Sequence, residues 1–590
     1  MILGSYNLLD ENWISVIDKE GNPKKVSLKK VFKEANNFYD LAGDTKTQDF
    51  AVMRILLAVL HTVFSRFDYN GEQYEWVKLD DELFKQDEEV DEYDKEEYQS
   101  ALCDTWFELW KKGNFHQIVN VYLEKWRDSF YLFDEKQPFL QVVADDVSAD
   151  KLNKPNPSEL SGKNINRLVS ESGNKIALFS PKNDKKNNGN KEILKPDEIA
   201  RWLITLQGYI GLSDKVIFGD TKYKASKGWL FDIGGVYLKG DNLFETLMLN
   251  LCLFYEGVDN CFNIQKPCWE MSSSELIEFY MYDGTFDNLA GLYTAWSRAV
   301  YIDPNLDFDK LFKCSIVKLP EINHRDNFLE PMTLWKYNKT GENKDSFTPR
   351  KHIIHQSLWR SFSLLTMNDL SNSGAKQKIP GIIDFLKELK DKSRDYELEK
   401  TNFIQSIVSV SMADDGNATS WVPIDEIVDY LPVQDFILVN FNNKNWSTWI
   451  NDTIQKTKRV IEFTYKNYIK DIKAIRNINS DDFVSRKIEE IYFVIDNRFR
   501  RWLVSIDEDK PHEEQISEWE LTLKKLVKDE AKSIFANGNN RDFTGFKKKQ
   551  NTKNAEEKSE KEIYTIAHAY NKFIYFLNRD IKNIKEEGRE

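Results

Sequence analysis

Apolar positions along this chain follow two regimes. Short alternating and helical registers are mixed with polar stretches through most of the length, and long helical stripes fill the last quarter. Alternation over residues 7–16, the turn Glu20-Gly21-Asn22-Pro23 and the run Lys25-Val26-Ser27-Leu28 predict a strand, a hairpin-like turn and a second strand leading into a helix. Residues 49–67 carry Phe50, Met53, Leu57, Leu60 and Phe64 three or four apart, which predicts a helix. Val52, Ile55, Leu56, Val59 and Val63 widen that stripe, so the helix is expected to be buried on most sides. Residues 98–126, with Trp106, Leu109 and Trp110, read as a second helical stretch. The acidic segment between them, residues 80–97, reads as a solvated loop or helix face.

Residues 143–200 are poor in apolar side chains and rich in Asn, Lys, Ser and Pro, the composition of long loops, which in compact domains are often functional. A helix is expected to resume at Pro196-Asp197-Glu198, with proline and acids in its first turn. A glycine-rich irregular stretch, residues 208–240, then precedes a leucine-rich helix over 242–255. Short strands mixed with loops over 297–360, a helix over 382–389 and a short apolar segment over 403–410 complete this part.

In the last quarter four stripes stand out. They run Trp446, Trp449, Ile450, Ile454, Ile461, Tyr465, Tyr468, Ile472; then Phe483, Val484, Ile488, Ile491, Tyr492, Ile495, Phe499, Trp502; then Ile516, Trp519, Leu523, Leu526, Ile534; then Ile563, Ile566, Tyr570, Phe573, Leu577, Ile581, Ile584. Four serial helices with one apolar face each can bury those faces only against one another or a partner. Short connections at Asn479-Ser480 and Asp509-Lys510-Pro511 predict antiparallel neighbours, and the third connection, residues 537–558, reads as a long polar loop. The expected fold class is α+β: a large mixed α/β N-terminal domain with long loops over 1–440, followed by a C-terminal four-helix bundle over 441–590.

Composition narrows the function classes. With 41% hydrophobic and 13% aromatic residues the chain can build real cores. Five scattered cysteines, none in a CxxC pair, argue against a disulfide framework or a structural zinc cluster. The opening residues lack a signal-peptide pattern, and no apolar run approaches the roughly 18 residues that span a bilayer, so a soluble, cytoplasmic protein with no membrane partner is expected. The net charge of −14 disfavours a free-standing nucleic-acid binder while leaving room for local basic strips or a subunit whose partners supply phosphate contacts.

Catalytic signatures are missing: there is no GxxxxGK[ST], HExxH or GxSxG. His352 and His355 stand three apart without nearby Cys or acidic ligands, and Asp414-Asp415 fits a turn better than a working carboxylate pair. No cofactor, metal or enzymatic activity is expected. Three loops have residue types suited to nucleic acid. In the first, Gly173, Asn174 and Lys175 could meet a backbone or base and Phe179 could stack on an unpaired base; the alternative is a polar turn beside a core Phe. In the second, Lys222, Lys224 and Lys227 interleave with Tyr223, Ala225 and Ser226 and end at Gly228-Trp229; the alternative is a solvated loop. The third is the turn from Asp414 through Gly416 and Asn417 to Thr419 and Ser420.

Several segments carry a family resemblance. Tyr6-Asn7-Leu8-Leu9-Asp10-Glu11-Asn12-Trp13-Ile14, Phe130-Tyr131-Leu132-Phe133 with Gln137-Pro138-Phe139-Leu140-Gln141, Gly173-Asn174-Lys175 through Leu178-Phe179, Ala200-Arg201-Trp202-Leu203 with Gln207-Gly208-Tyr209, and Glu330-Pro331-Met332-Thr333-Leu334-Trp335 occur in that order. In number, order and spacing they resemble the CasA family, the large subunits of the type I-E CRISPR surveillance complex Cascade, and the likeness spans nearly the whole chain. The resemblance implies a subunit that reads the protospacer-adjacent motif in double-stranded DNA, promotes duplex opening and R-loop formation, and helps recruit a helicase–nuclease. Its implied partners are other Cascade subunits, the 5′ handle of the guide RNA, double-stranded target DNA and that helicase–nuclease. The guide supplies sequence specificity while the protein reads the short flank.

Carried onto this sequence, the family's glycine-rich loop corresponds to Lys222, Lys224, Ser226, Lys227 and Gly228, its lysine finger to Lys318, and its wedge turn to Gly416, Asn417 and Thr419. Gly173, Asn174, Lys175 and Phe179 correspond to the loop facing the guide. Arg498, Arg500, Arg501, Lys547, Lys548 and Lys549 are candidate contacts to DNA backbone on the bundle. Some relatives hold zinc in a cysteine cluster; this chain lacks that spacing. Two rivals remain: a protein-only scaffold that binds partners through its bundle, and an enzyme with an unrecognised site.

Overall fold

The computed structural model describes residues 6–165, 193–212, 214–255, 263–282, 284–367, 376–398, 402–417, 421, 423–439, 445–480, 482–549 and 561–581; for 163, 164, 548, 549, 561 and 562 the description is confined to the backbone. The chain forms two compact units, Met1–Ile354 with Leu364–Tyr430, and His355–Ser363 with Leu431–Glu590. Helix and sheet are mixed in the first, and long helices dominate the second.

The first unit is organised around the helix Lys46–Phe64. Thr45 caps it by accepting from the Gln48 amide, and every residue after Lys46 is buried. A helix apolar on nearly all sides must be enclosed, and Pro196–Tyr209 and Leu289–Tyr293 pack against it. This helix corrects one expectation: with a mean hydropathy of 1.3 over an 18-residue window it is long and apolar enough to span a bilayer, yet that window is wholly buried within the fold. Arg54, His61 and the threonines break the strictly apolar run, while the mean over the helix stays high.

Other elements refine the sequence expectations. The first strand is Ile14–Asp18, not a run from residue 7; it lies between Pro23–Val26 and Phe38–Leu41 in an antiparallel sheet. Asn7 instead forms an isolated bridge with Tyr131. The stretch 98–126 is two helices, Lys95–Lys112 and Ile118–Lys125, because Gly113 at φ +67° ends the first. Within the nominally irregular 208–240 lies a strand, Gly235–Lys239, all of whose residues are buried. It pairs antiparallel with Ser406–Asp414, Lys239 opposite Ser406 and Gly235 opposite Val410, and Pro423–Pro432 flanks Ser406–Asp414 on the other side. Within 143–200, Ser158–Ser161 is a strand; with Arg298–Tyr301 it flanks Lys313–Lys318, placing Lys318 opposite Arg298.

Buried ion pairs brace this unit. Arg66 pairs with Glu270 at 2.8 Å, and Tyr122 donates to the same carboxylate at 2.5 Å. Arg298 grips Asp214 through Nε and Nη2 at 2.9 and 2.8 Å and also donates to the Ser226 carbonyl at 2.6 Å. Such pairs fix geometry: breaking one leaves an uncompensated charge in the interior.

The second unit is a helical bundle. Its first helix is continuous from Trp446–Arg459 through a π-helical stretch, Val460–Tyr465, to Lys466–Arg476; Asp482–Ser505, His512–Ala536 and Ile566–Asp580 follow. Contacts give the directions. Trp502 Nε1 donates to the Gln515 carbonyl, so the second and third helices run antiparallel across a short turn. Trp519 meets Thr457 and Ala531 meets Tyr468, so the first and third run parallel. Tyr465 and Tyr468 meet Phe573 while Thr464 meets Asp580, so the fourth opposes the first.

Trp359, Phe499, Trp502 and Trp519 form one aromatic cluster, with Trp359 stacked on Phe499 at 4.3 Å and Phe499 edge-on to Trp519 at 4.9 Å. The third helix buries Val527 and leaves Ile516 and Leu526 half-buried, a small rotation of the expected stripe. Ile563 is not helical: Lys561–Tyr564 pairs with Phe546–Lys549, placing Ile563 opposite Lys547, and the fourth helix begins after its Thr565 cap. The connection expected as a loop over 537–558 therefore opens with a helix, Asn540–Thr544, and a strand. Ile584 lies outside the described residues.

Candidate nucleic-acid interface

Residues 222–228 lie along the segment that follows Lys318. Ala225 bridges to Pro320, the Ser226 amide donates to the Leu319 carbonyl at 2.9 Å, and Lys224 meets Glu321 at 2.5 Å. Tyr223 fastens the other side, donating its hydroxyl to the Lys318 carbonyl at 2.6 Å while accepting from the Phe218 amide at 3.0 Å. The lysine loop and Lys318, the residue the resemblance added, are thus adjacent in space.

The loop's own residues divide by role. Lys222 is exposed, and Lys224 keeps a side chain that is 78% exposed despite its carboxylate partner, so both ammoniums face solvent. Ser226 is buried, and its hydroxyl accepts from the Gly228 amide at 2.9 Å. Gly228 sits at φ +86°, and a Cβ there would lie 2.4 Å from the Gly208 carbonyl oxygen. The lack of a side chain at Gly228 therefore serves close packing between two backbones. Beyond it, Trp229 stacks on His324 at 4.0 Å and donates Nε1 to Glu330 at 2.5 Å, anchoring the loop's end to the core.

Lys318 is half-buried, with its ammonium donating to the Leu212 carbonyl at 3.1 Å. Burial, with a smaller push from Arg298, holds its pKa below the ordinary lysine value, against the opposing pull of Asp214. This cation has already shed part of its hydration.

The turn after Ser406–Asp414 is a chain of local bonds. The Gly416 amide donates to Asp414 at 2.9 Å, the Asn417 amide to Asp415 at 3.1 Å, and the Trp421 amide to the Asn417 carbonyl at 2.8 Å. Gly416 takes φ +67°, with no described atom within 4 Å of where a Cβ would stand, and Asn417 is exposed. This turn is tied to the lysine loop. Lys351 meets Asp414 at 2.6 Å and Asp232 at 3.7 Å, Asp232 meets Lys227 at 2.6 Å, and the Lys227 ammonium lies 4.4 Å over the Trp421 ring. Burial works to raise the Asp414 carboxyl, but the hydrogen bond and charge of Lys351 outweigh it and leave the pKa below the usual value. Asp232, Lys351 and Trp421 were not singled out from the sequence; the run Arg350-Lys351-His352 was the available signal.

Gly173, Asn174, Lys175, Phe179 and Thr419 lie outside the described residues. On the bundle, Arg498 and Arg501 are exposed on Asp482–Ser505, while Arg500 is tied to Asp496 at 2.7 Å one turn earlier. Lys547 is exposed on its strand; Lys548 and Lys549 extend that strand, with their backbones opposite Glu562 and Lys561. His352 directs Nε2 at the Gly235 carbonyl, 2.9 Å away, and among the described residues no group of three or more His, Cys, Asp or Glu could hold a metal ion.

Residues 7–529 match the sequence model of the family described as CRISPR-associated protein Cse1. The chain belongs to the Cse1 family. A CasA/Cse1 protein of Thermus thermophilus is 28% identical over 275 residues, a match covering 46% of this chain and 43% of that relative, so the aligned part is under half the relative's length. The fold is similar to that of solved structures over almost the entire chain. Thermobifida fusca Cse1 has a TM-score of 0.72 at 18% identity, covering 98% of both chains. Acidimicrobium ferrooxidans Cse1 has a TM-score of 0.66 at 19% identity, again covering 98% of both. A chain of a CRISPR RNA-guided surveillance complex has a TM-score of 0.62 at 15% identity, covering 97% of this chain and 99% of that one.

Proposed function

We propose that this chain is the non-catalytic large subunit of a type I-E CRISPR surveillance complex, recognising a short protospacer-adjacent motif in double-stranded DNA. The observation that carries the reading is the convergence of the lysine loop, the strand end at Lys318 and the Gly416–Asn417 turn, three segments scattered over some two hundred residues of a Cse1-family chain. Its partners in this reading are the other subunits, the 5′ handle of the guide RNA, target DNA and a recruited helicase–nuclease. The likeness to a chain of a CRISPR RNA-guided surveillance complex supports assembly with other subunits.

Chemistry assigns the roles. The minor groove offers mainly acceptors, and a partly dehydrated lysine such as Lys318 gives up less water on entering it. Asn417, at the tip of a glycine-permitted turn, offers both donor and acceptor. Lys222 and Lys224 supply phosphate contacts that position the duplex without reading it. Opening of the duplex follows when the turn enters beside the first base pair of the target. The net charge of −14 fits a subunit that depends on its complex for most backbone affinity.

The test compares guide-loaded complexes containing wild-type chain, Lys318→Ala or Asn417→Ala. Each variant should weaken binding to motif-bearing duplex about tenfold, as loss of one specific polar contact does, while leaving assembly intact. Undiminished DNA binding by both variants would overturn direct reading by these residues and favour a protein-only scaffold.

A further inference from the structure

The contacts linking the two loops close into a ring. Lys227 meets Asp232, Asp232 meets Lys351, Lys351 meets Asp414, and Asp414 accepts the Gly416 amide. The Asn417 carbonyl accepts from the Trp421 amide, and the Trp421 ring carries the Lys227 ammonium. Phe231 lies beside both cations, with the ammoniums of Lys351 and Lys227 at 4.1 and 5.6 Å from its ring centre. The four charged side chains are only 14–27% exposed, and their charges cancel. Ion pairs in that environment are screened less than surface pairs, and together they restrict more backbone than any one of them. Trp421 is held at φ +45°, a conformation a bulky residue rarely adopts without surrounding contacts to hold it.

We infer that Lys351 is a positioning residue that makes the lysine loop and the Gly416–Asn417 turn one mechanical element. It comes from a third segment of the chain and touches carboxylates on both sides of the ring, Asp232 at 3.7 Å and Asp414 at 2.6 Å. Lys227, Asp232 and Asp414 belong to this frame, so Lys227 acts as a strut and the phosphate-facing charges of the loop are Lys222 and Lys224. The effect on DNA rests on the motif-reading function proposed above; the mechanical coupling does not.

Two measurements on the full-length chain and its assembled complex test this. Hydrogen exchange of the isolated full chain is followed in segments 222–232 and 411–417 for wild type, Lys351→Ala, Lys351→Arg and Asp232→Asn. Lys351→Ala and Asp232→Asn should speed exchange in both segments by about tenfold, in the range expected of coupled contacting residues. Lys351→Arg should stay near wild type, and the helix Lys46–Phe64 should be unaffected. Acceleration in neither segment, or in one alone, overturns the coupling.

In guide-loaded complexes, the ratio of affinities for duplexes with and without the flanking motif is then compared. Lys351→Ala should reduce that ratio about fivefold, Lys351→Arg should preserve it, and binding of a single-stranded complementary target should not change. A general loss of folding would lower all three together and overturn the positioning role. A preserved ratio despite faster exchange also overturns it. If wild type itself shows no motif preference, the proposed function fails while the exchange data still decide the coupling.

Discussion

Arg54 and Glu330 face each other as a two-bond fork inside the first unit, Nη1 to Oε1 at 2.9 Å and Nη2 to Oε2 at 2.8 Å, with both side chains almost wholly buried. Glu330 also accepts from Trp229 Nε1 at 2.5 Å and from the Met332 amide at 2.9 Å, so one carboxylate joins the core helix to the end of the lysine loop. Removing one partner of a buried pair strands the other. Arg54→Met should therefore lower the unfolding free energy by about 3–5 kcal/mol. The double variant Arg54→Met/Glu330→Gln should lose far less than the two single losses combined, because no unpaired charge remains. Urea denaturation of the four proteins checks this, and strictly additive losses would contradict a coupled pair.

Two glycines of the candidate interface should respond unequally to alanine. At Gly416, φ +67° with no described atom within 4 Å of an added Cβ, alanine meets the backbone preference and should cost about 1 kcal/mol. At Gly228 the same preference is joined by a Cβ 2.4 Å from the Gly208 carbonyl oxygen, and neither backbone can yield without moving Trp229 or the helix Pro196–Tyr209. Gly228→Ala should lower the melting temperature clearly more than Gly416→Ala and disturb exchange around Trp229. Equal effects would mean that the close approach is relieved cheaply.

The parts of this fold that were legible are long helices, whose large apolar residues recur three or four apart. The bundle stripes and the core helix announced themselves through residues three and four apart, such as Phe50, Met53 and Leu57. Gly235–Lys239 did not, because a strand buried on both faces has no alternation to detect. The candidate interface was legible as composition, through lysines beside glycine and an Asp-Asp-Gly-Asn turn, and through the ordered motifs of a family. Its wiring was not: Lys351 and Asp414 are 63 positions apart, and neither residue alone departs from an ordinary surface charge. Lys227 shows the limit best: the resemblance placed it in the motif-reading loop, and its ammonium lies against Asp232 and the Trp421 ring.

Trp359 extends that lesson into the bundle. It arrives from His355–Ser363, far upstream of the helices, stacks on Phe499 at 4.3 Å and donates Nε1 to Asp496 at 2.8 Å. Replacing a buried tryptophan by alanine leaves a large cavity, so Trp359→Ala should destabilise the helical unit by about 3–5 kcal/mol. Trp359→Phe keeps a ring on Phe499 and loses the indole hydrogen bond, with Asp496 still held by Arg500, so its loss should be nearer 1 kcal/mol. Native-state hydrogen exchange of Asp482–Ser505 and His512–Ala536 reads both effects. Unchanged protection in Trp359→Ala would show that the upstream segment merely rests on the bundle.

His61 sets an acid limit on the first unit. It lies inside the core helix with its ring edge-on to Tyr293 at 5.8 Å, and its Nε2 has no hydrogen-bond partner among the described residues. Burial pushes its pKa down to about 3, from 6.5 for an exposed imidazole. The native ring therefore stays neutral while the unfolded chain takes up a proton as pH falls through 6.5. Unfolded molecules then bind more protons than native ones, and stability must decline on acidification between about 6.5 and 3. The limiting slope is about 1.4 kcal/mol per pH unit for one proton. His61→Leu, close in volume and unable to titrate, should remove one proton from the linkage in that window and leave stability at pH 7 within about 1–2 kcal/mol of wild type. Urea melts at pH 7, 6, 5 and 4 measure the slope directly. A variant with the wild-type slope would show that acid sensitivity originates in the carboxylate pairs and not at His61.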